Sequence, residues 1–363
     1  MTRVAGTAAA TGALETVAEF WGPMPAGVAV SRRGRIFVSF PRWSEPVSHT
    51  VAELVGGETR PFPDLGVNLA QDDPSASLLS VQSLVIDAAD RLWLLDTGSI
   101  AQRPLPPGGP KLAAIDLQED KIAQTFILPS DVALPSTYLN DLCINLRCGA
   151  AGTAFISDSA PGGPNGIIVV DLQSGQSWRR LHDHPSTRSE QGFLPIVEGE
   201  PLMDRPPDGR PTPFRAGVDG IALDATGERL FYSPTASRRL YSVSVAALAD
   251  ESLPDEWARD SVVDHGEKGV SDGLAIDSAN RLYTTNWEHN AILRRRADGT
   301  YETLVQDARL LWPDSLTISS DGWLYVTANQ FHRRPGYHAG LDRRTQPYRL
   351  LRIFIDAEPP RLG

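Results

Sequence analysis

Six short stretches of the chain repeat one pattern, and most of them begin with an acidic or amide side chain. The residues at these starts are Ala26, Gln82, Asn140 with Asp141, Asp219, Asp272 and Asp314. Oxygen ligands of this kind suit Ca²⁺, Mg²⁺ or Mn²⁺ rather than zinc, and neighbouring carboxylates raise one another's pKa when no cation neutralises them. If the fold brings the six starts together, the pattern predicts a site for one divalent cation or for proton transfer. For any single position, an aspartate that only caps a turn is the alternative.

Each of the six stretches joins a run of aliphatic or β-branched residues, a polar turn and a second β-forming run. They are "GVAVSRRGRIFVSF" from Gly27, "SLVIDAADRLWLLDTG" from Ser83, "DLCINLRCGAAGTAFISDS" from Asp141, "GIALDATGERLFYSP" from Gly220, "GLAIDSANRLYTTN" from Gly273 and "SLTISSDGWLYVTAN" from Ser315. Each pattern predicts a hairpin, and further strand candidates make each unit about four strands long. Because no unit could bury its faces alone, we predict an all-β, six-bladed β-propeller in a single domain, residues 1–363. A two-domain β-sandwich protein, the alternative, does not explain six copies of one pattern.

The two ends of the chain are predicted to complete one blade. The last unit supplies only three strands, whereas "ALETVAEFW", from Ala13, precedes the first unit without a partner. We expect this N-terminal strand to close the last blade as its outer strand, which removes an exposed sheet edge. Residues 1–12 are rich in Ala, Gly and Thr and are predicted to be flexible.

In a propeller, the starts of the innermost strands and the ends of the second strands share one mouth of the central channel. Two long irregular segments, 185–217 and 330–348, are predicted to lie over this mouth, although a solvated loop is the alternative for the second. The predicted catalytic residues are Asp272 and Asp141, and the predicted metal ligands are Asn140, Asp219 and Asp272. The predicted substrate contacts are Gln82, Arg42, Trp43, Asn286, Trp287, Trp312, Asp314, His332 and Arg333.

The composition and the motifs of the sequence argue against several classes of function. The formal net charge of -11 argues against a nucleic-acid partner, which needs a basic face. No stretch approaches the apolar length of a membrane span, and no dinucleotide, phosphate-loop or hydrolase-elbow motif points to an organic cofactor or to those chemistries. Cys143 and Cys148 are expected to be unpaired thiols, with a single bridge as the alternative. A cytoplasmic location is expected, or a secreted or periplasmic one if a leader has been removed. The sequence does not indicate an oligomeric state.

Several phrases, in order, resemble the major royal jelly protein/Yellow family. They include "FPRW", "VQSLVIDAADRLWLLDTG", "LNDL", "AFISDS", "DGIALD" and "LWPDSLTISSDGWLYV", and the resemblance spans roughly Gly22 to Asn329. It implies a six-bladed propeller with a ligand pocket at the channel mouth. Insect members are secreted and are linked to dopachrome tautomerisation or to binding small amines. This chain lacks their disulfide cysteines.

"DGIALD" and "SDGLAID" are more distantly similar to the gluconolactonase/regucalcin family. That resemblance implies one divalent metal, held in the channel by a Glu, Asn residues and an Asp, and hydrolysis of sugar lactones. Carried over by position, the Asp falls on Asp272, one Asn on Asp219 and another near Asn140. The Glu falls on Pro25 or Ala26, so one anionic ligand of the family is missing here.

Three functional hypotheses follow. The first is metal-assisted hydrolysis of a lactone or a similar cyclic carbonyl compound, with Asp272 or Asp141 moving protons. The second is a Yellow-like isomerase or tautomerase that uses the same carboxylates without a metal. The third is a non-catalytic protein that binds a small aromatic amine, with Trp43, Trp287 and Trp312 packing against its ring.

Overall fold

A computed structural model describes residues 13–43, 45–69, 71–101, 104–296 and 298–363. The predicted flexible segment, residues 1–12, lies outside the described residues. Six four-stranded antiparallel sheets follow one another along the chain and meet through their innermost strands, so the predicted six-bladed β-propeller is confirmed.

The strands are numbered β1 to β28 in chain order, and β1 is Glu15–Phe20. Blade 1 is β2 Val28–Val30, β3 Ile36–Ser39, β4 Val51–Val55 and β5 Glu58–Pro61; blade 2 is β6 Val81–Ile86, β7 Leu92–Asp96, β8 Lys111–Asp116 and β9 Lys121–Ile127. Blade 3 is β10 Leu139–Asn145, β11 Thr153–Asp158, β12 Gly166–Asp171 and β13 Ser177–Arg180. Blade 4 is β18 Val218–Leu223, β19 Arg229–Pro234, β20 Arg239–Ser244 and β21 Val263–Glu267; blade 5 is β22 Leu274–Ile276, β23 Leu282–Asn286, β24 Ala291–Arg295 and β25 Tyr301–Gln306. Blade 6 is β26 Pro313–Ile318, β27 Trp323–Ala328 and β28 Tyr348–Phe354, completed by β1.

The ring closes as predicted, because β1 pairs antiparallel with β28 from Glu15 opposite Arg352 to Phe20 opposite Tyr348. Ala18 and Phe20 of β1 are buried in a cluster that also holds Leu350 of β28. The N-terminal strand therefore covers the edge of blade 6 and contributes to the core between blades 6 and 1.

The connections hold the few remaining elements. Two short hairpins lie in the segment 185–217: β14 Ile196–Val197 with β15 Glu200–Pro201, and β16 Met203–Asp204 with β17 Thr212–Pro213. The α-helices are α1 Leu65–Asn68, α2 Val245–Ala249 and α3 Asp255–Asp260. Single 3₁₀ turns form at Pro74–Ala76, Phe331–Arg333 and Pro335–Tyr337. In the described part of the chain, no helix has the length and apolar character that a membrane crossing requires.

Most of the core lies between neighbouring blades. For example, Trp93 and Leu95 of blade 2 pack with Ile156 and Ile168 of blade 3 in one buried cluster. Each blade therefore buries its apolar faces against its two neighbours, as the repeat pattern requires.

Around the channel, the inner strands approach one another so closely that two positions admit only glycine. A Cβ atom on Gly220 would lie 2.2 Å from the carbonyl oxygen of Asp272, and one on Gly273 would lie 2.3 Å from that of Asp314. These glycines follow Asp219 and Asp272 directly. In each "DG" pair of the sequence, the aspartate thus supplies a polar side chain and the glycine allows the next blade to pack closely.

Four of the inner strands carry a bulge at the residues that the sequence singled out. The register shifts lie between Val81 and Ser83, between Leu139 and Leu142, between Val218 and Ile221, and between Pro313 and Leu316. Sequence reasoning placed Gln82, Asn140, Asp219 and Asp314 just before their strands, whereas they lie inside them. The bulge leaves these residues out of the regular pairing, which is how bulges re-aim side chains at functional sites.

Hydroxyl groups on the second strands bond the backbone N–H groups near these inner-strand starts. Ser157 Oγ accepts from the N–H of Asp141 at 2.8 Å, and Thr285 Oγ1 accepts from the N–H of Asp272 at 2.9 Å. Thr327 Oγ1 accepts from the N–H of Ser315 at 3.2 Å. These bonds hold the irregular backbone in one conformation.

Removing residues 1–21 is expected to cause aggregation or a large loss of thermal stability, because the edge of β28 and its buried neighbours become exposed. Differential scanning calorimetry checks this. A chain that lacks only residues 1–12 keeps β1 whole and serves as the control. If the chain without residues 1–21 melts like the full chain, the ring closes by another route.

Gly273→Ala is expected to lower the free energy of unfolding by about 1–3 kcal/mol, because the added methyl group would overlap the backbone of blade 6. Gly22→Ala is the control, since a Cβ atom there meets nothing within 4 Å. Urea unfolding of both variants measures the difference. Equal stability of the two would contradict the close approach of blades 5 and 6.

Candidate functional site

A cavity of about 730 Å³ lies at the mouth of the channel where the inner strands start. Its floor and walls include Gln82, Asn140, Asp219, Asp272, Asp314, Trp43, Tyr138, Phe214, Trp312, Phe331, Tyr337, Thr235, Asp204, Arg215 and Arg334. The volume lies within the range of small-molecule sites, and the lining combines apolar walls with a few convergent polar groups. This cavity is therefore the candidate site.

The floor of the cavity consists of polar side chains from blades 3 to 6, and those of blades 3 to 5 are connected by hydrogen bonds. Asn140 donates its side-chain N–H to Asp219 Oδ2 at 2.7 Å, and Thr235 donates its hydroxyl to the same oxygen at 2.5 Å. Asp219 is hydrogen-bonded to Asp272. Asp314 Oδ2 accepts from the side-chain amide of Asn329 at 2.5 Å.

The three carboxyl groups of the floor do not share one charge state. Burial raises the pKa of Asp272 to about 6, while hydrogen bonds from Asp219 and Trp312 and the nearby charge of Lys268 oppose the rise. Burial raises the pKa of Asp219 and of Asp314 well above the ordinary value, and the negative charge of Asp272 adds to both shifts. The charge of Asp272 therefore makes ionisation of its two neighbours more difficult.

Besides Asp219, two groups stabilise the ionised form of Asp272. Trp312 donates its indole N–H to Asp272 Oδ2 at 2.6 Å. Lys268 is buried, and its ammonium group donates hydrogen bonds to Ser271 Oγ at 2.6 Å and to the carbonyl of Gly269 at 2.9 Å. Burial lowers the pKa of Lys268 to about 7, while the charge of Asp272 opposes that shift.

On the side of blades 1 to 3, a chain of hydrogen bonds fixes three side chains of the cavity. Trp43 donates its indole N–H to the Tyr138 hydroxyl at 2.5 Å, and Tyr138 donates to Gln82 Oε1 at 2.9 Å. Burial raises the pKa of Tyr138, so its hydroxyl keeps its proton. The structure therefore brings the predicted residues Trp43 and Gln82 together with Asp219, Asp272 and Asp314.

Aromatic rings form the remaining walls. Trp312 stacks on Trp287 with ring centroids 4.4 Å apart. Phe214 packs edge to face against Trp312, with ring centroids 6.1 Å apart, and against Tyr337, with ring centroids 6.0 Å apart. Trp312 reaches the cavity, whereas Trp287 is fully buried behind it. A flat apolar ligand would therefore contact Trp312, Phe214 and Tyr337 rather than Trp287.

The two long loops meet above this cavity. The N–H of Arg205 donates to the carbonyl of Gly336 at 2.7 Å, and the N–H of Ala339 donates to the carbonyl of Arg205 at 3.0 Å. Glu198, in the first hairpin, is hydrogen-bonded to His332 at 3.0 Å and forms an ion pair with Arg333. Residues of both segments, including Phe214 and Tyr337, line the cavity.

Five residues predicted to contact substrate are not found in the described lining of the cavity. Arg333 and His332 are held by Glu198, and His332 also stacks on Trp312 at 5.9 Å. Arg42 donates to backbone carbonyls, including that of Leu78 at 3.1 Å, and so supports the joint between blades 1 and 2. Asn286 is buried and accepts from the N–H of His289, and Trp287 lies behind Trp312. These five side chains therefore lie behind or beside the described lining and hold its residues or the neighbouring backbone in place. They are Arg42, Asn286, Trp287, His332 and Arg333.

Asp141 lies deeper in the channel than the other acids. It borders a narrow void of about 10 Å³ together with Asp219, Asp272 and Asp314, and it also lines a separate cavity of about 590 Å³ at the opposite mouth. Its oxygens accept from Ser83 Oγ at 2.9 Å and from the N–H groups of Leu142 and Ile221. Burial raises its pKa to about 6. Asp141 thus faces the axis but not the described surface of the mouth cavity.

The opposite mouth is crossed by the C-terminal residues. The carbonyl of Glu358 accepts from the N–H of Ser278, and that of Leu362 accepts from the N–H of Leu146, both at 2.8 Å. Cys143 lines this second cavity, and both Cys143 and Cys148 are free thiols.

The donor atoms of the floor suit a hard divalent cation in kind, since they are carboxylate and amide oxygens. Blade 1 adds no ligand, because Ala26 is fully buried and has no side-chain oxygen. Within the residues that the structure describes, no three His, Cys, Asp or Glu side chains are grouped closely enough to hold a metal ion. Asn140, Asp219 and Asp272, which lie side by side, are the residues that would hold such an ion.

Sequence reasoning missed several residues of the site. Tyr138 lies two positions before Asn140, as Trp312 lies two positions before Asp314, so an aromatic residue at that point of the repeat was an available signal. Lys268, Thr235 and Phe214 carried no such signal, because each comes from a loop or a strand end that the repeat does not specify.

Several solved structures share this fold. A gluconolactonase from Xanthomonas campestris matches with a TM-score of 0.55 at 12% identity, over 94% of this chain and 89% of that chain. The calcium-binding protein regucalcin from Agrobacterium tumefaciens matches with a TM-score of 0.56 at 14% identity, over 96% of this chain and 97% of that chain. At these identities the likeness concerns the fold alone.

Similarity in sequence points to one family. The Yellow-related salivary protein SP04 of Phlebotomus argentipes is 25% identical over 84% of this chain and 78% of its own length. Major royal jelly protein 7 of Apis mellifera is 27% identical over 66% of this chain, but the match spans only about half, 51%, of that protein. The sequence model described as "Major royal jelly protein" matches residues 79–353, about three quarters of the sequence. The chain therefore belongs to the major royal jelly protein family, as its ordered phrases indicated.

Proposed function

We propose that the mouth cavity is the active site of an enzyme that transfers protons on a small cyclic carbonyl compound, with lactone hydrolysis as the reaction to test first. The observation that carries this proposal is the hydrogen-bonded pair of Asp219 and Asp272 at the floor of an aromatic cavity. Burial raises the pKa of both carboxyl groups, and the charge of Asp272 adds to the rise at Asp219, so Asp219 takes the role of the acid and Asp272 that of the base. Pairs of this kind are the usual sign of acid–base catalysis.

The two carboxyl groups have complementary roles in hydrolysis. Asp272, ionised and held by Trp312, accepts a proton from the attacking water. Asp219, still protonated, donates its proton to the ring oxygen that leaves the carbonyl carbon. The hydrogen bond between the pair then returns the proton from Asp272 to Asp219 and restores the starting state. The same pair could move a proton between two positions of a substrate, which is the isomerase form of the proposal.

A divalent cation fits the same floor in its chemistry. Asn140, Asp219 and Asp272 would hold it, and Asp314 lies beside them at the floor. When bound, such a cation would polarise the carbonyl of the substrate. The roles of Trp312 in positioning Asp272 and of the aromatic walls in excluding water are the same with or without it.

A second candidate function is the binding of a small aromatic amine without catalysis. The observation that favours it is that Asp272 and the rings of Trp312 and Tyr138 line the same cavity, because a cation is attracted both by a carboxylate and by aromatic faces. Turnover of a lactone panel, compared with ligand-induced shifts in melting temperature, separates the enzyme from the binding protein.

Asp272→Asn is expected to lower turnover of any active lactone by about 10²-fold or more, since an amide cannot accept the proton. The melting temperature should change by only a few degrees, because the side-chain oxygen of Asn can still accept the bond from Trp312. Metal content should be measured on both proteins, so that loss of a metal is separated from loss of a base.

Asp277→Asn is the matched control for this variant. Asp277 lies near the other end of the same inner strand and bonds the N–H groups of Ala279 and Arg281, a turn-capping role. The Asp277→Asn substitution should lower the free energy of unfolding but leave the turnover rate unchanged. An Asp272→Asn protein with full activity and full metal content would refute the catalytic role and leave only a structural role, through the bond from Trp312.

The raised pKa values also predict how stability depends on pH. Because the folded protein holds the Asp272 proton up to about pH 6, it binds more protons than the unfolded chain above about pH 4. The contribution of this group to the free energy of unfolding is therefore complete below about pH 4 and is lost as the pH rises to about 6. It is on the order of 3 kcal/mol in total. Asp272→Asn should flatten this fall, as urea unfolding from pH 4 to pH 8 would show.

Asp208→Asn, at an exposed position of the loop 185–217, controls for the general effect of removing one carboxylate. Its stability profile should run parallel to that of the parent protein. If the Asp272→Asn profile is parallel as well, Asp272 does not hold its proton above the ordinary range.

A further inference from the structure

Four aliphatic residues line the mouth cavity on the side of blades 2 and 3. They form what we call the aliphatic wall: Pro104, Leu105, Pro135 and Pro161. Pro104 and Leu105 lie in the loop between β7 and β8, Pro135 in the connection from blade 2 to blade 3, and Pro161 in the loop between β11 and β12.

The aromatic residues of the cavity lie across the channel from this wall. Trp312 comes directly before β26, and Phe331 and Tyr337 come from the loop between β27 and β28, so all three belong to the side of blade 6. In a ring of six blades, blade 3 lies opposite blade 6. The carboxyl groups of the floor therefore lie between an aromatic side and an aliphatic side.

The aliphatic wall offers a ligand few hydrogen-bond donors. Proline has no backbone N–H, and neither a pyrrolidine ring nor the side chain of Leu105 can donate or accept a hydrogen bond. Leu105 is half-buried and packs against the cluster that holds Trp93 and Ile156, while Pro135 and Pro161 are exposed. The wall is thus a rigid apolar surface, and rigid groups lose little conformational freedom when a ligand binds to them.

Most of the neighbouring hydroxyl groups are turned to other tasks. The Thr137 hydroxyl donates to a carboxylate of blade 3 at 2.8 Å, and Ser159 Oγ accepts from the side-chain amide of Asn140 at 2.8 Å. Ser99 is buried, and Ser136 is exposed. A ligand with several hydroxyl groups, such as a sugar lactone, would lose hydrogen bonds to water on this side without replacing them.

The aliphatic wall begins beside the floor of the cavity. Asn140 is a floor residue, its partner Ser159 also lines the cavity, and Pro161 follows Ser159 by two positions. A substituent on a ring that lies at the floor can therefore reach the wall directly. The cavity of about 730 Å³ has the size of sites for drug-sized ligands, so a lactone ring alone would leave much of it to water.

We infer that the substrate of this site is a cyclic carbonyl compound that bears an aliphatic chain without hydroxyl groups, and that Leu105 and the three prolines bind this chain while the ring lies at the floor. Contact between the chain and the wall removes apolar surface of both from water, which supplies affinity in proportion to the area. The inference rests on the proposed function for the reaction, but the preference for the chain can be tested without turnover.

The test measures binding to the full-length protein by calorimetry, with lactams as cyclic carbonyl compounds that resist hydrolysis. The probes are N-methyl-, N-butyl- and N-hexyl-2-pyrrolidinone, with D-glucono-δ-lactam as the hydroxylated probe. Affinity should rise at least about tenfold from the N-methyl to the N-hexyl compound, and the N-hexyl compound should bind more tightly than the hydroxylated one. Leu105→Asn should lower this ratio by about threefold or more and leave the affinity for the N-methyl compound unchanged.

Leu341→Asn is the matched control, because Leu341 is exposed in the loop 330–348 and does not belong to the described lining. It makes the same substitution and should keep the ratio of the parent protein. Pro161→Ser changes an exposed residue of the wall and should also lower the ratio, so it replaces Leu105→Asn if that protein does not fold.

The inference is overturned if affinity does not rise with chain length, if the wall variant keeps the ratio of the parent protein, or if Leu341→Asn lowers it equally. Tighter binding of D-glucono-δ-lactam than of the N-hexyl compound would also overturn it. Preference for the chain without turnover of any lactone would refute the proposed reaction and leave this ligand class standing. Turnover of glucono-δ-lactone with a higher kcat/KM than that of γ-decalactone, together with no effect of chain length on lactam binding, would do the opposite.

Discussion

The close approach of the inner strands around the channel determines most of what this protein can do. Gly220 and Gly273 lie against the backbone carbonyls of the next blade, at distances that leave no room for a Cβ atom. This contact brings the residues before the glycines, Asp219 and Asp272, toward the axis together with Asp314. Steric packing thus forces carboxyl groups into proximity that their charges oppose.

The electrostatics of the site follow from that packing. Three adjacent buried carboxyl groups cannot all ionise, because their negative charges repel one another. The surroundings of one of them favour its ionised form. Asp272 is that group, because Trp312 donates to it and Lys268 lies near it. Its charge then helps to keep the protons on Asp219 and Asp314. A packing constraint therefore becomes a difference in acidity, which is what proton transfer requires.

The repeat made the fold and the floor of the site predictable. Six copies of one hairpin pattern indicated six blades, the unpaired N-terminal strand indicated the closure, and the equivalent positions indicated Gln82, Asn140, Asp219, Asp272 and Asp314. The walls were less predictable, since Phe214, for example, comes from a loop that shares no pattern with the blades. His332 and Arg333 had suitable chemistry for a ligand, but Glu198, distant in sequence, pairs with both of them. Trp287 could not be distinguished from Trp312 by residue type, because only the packing decides which of two stacked rings faces the cavity.

Infrared difference spectroscopy of protein labelled with ¹³C-aspartate distinguishes the charge states of the floor, because the stretch of a protonated carboxyl group is separate from that of a carboxylate. We expect protonated aspartate to persist above pH 6, its signal to be reduced in Asp219→Asn and in Asp314→Asn, and Asp272 to ionise near pH 6. If every aspartate is ionised by pH 5, the carboxyl groups of the channel do not share protons, and the acid–base account of the site is wrong.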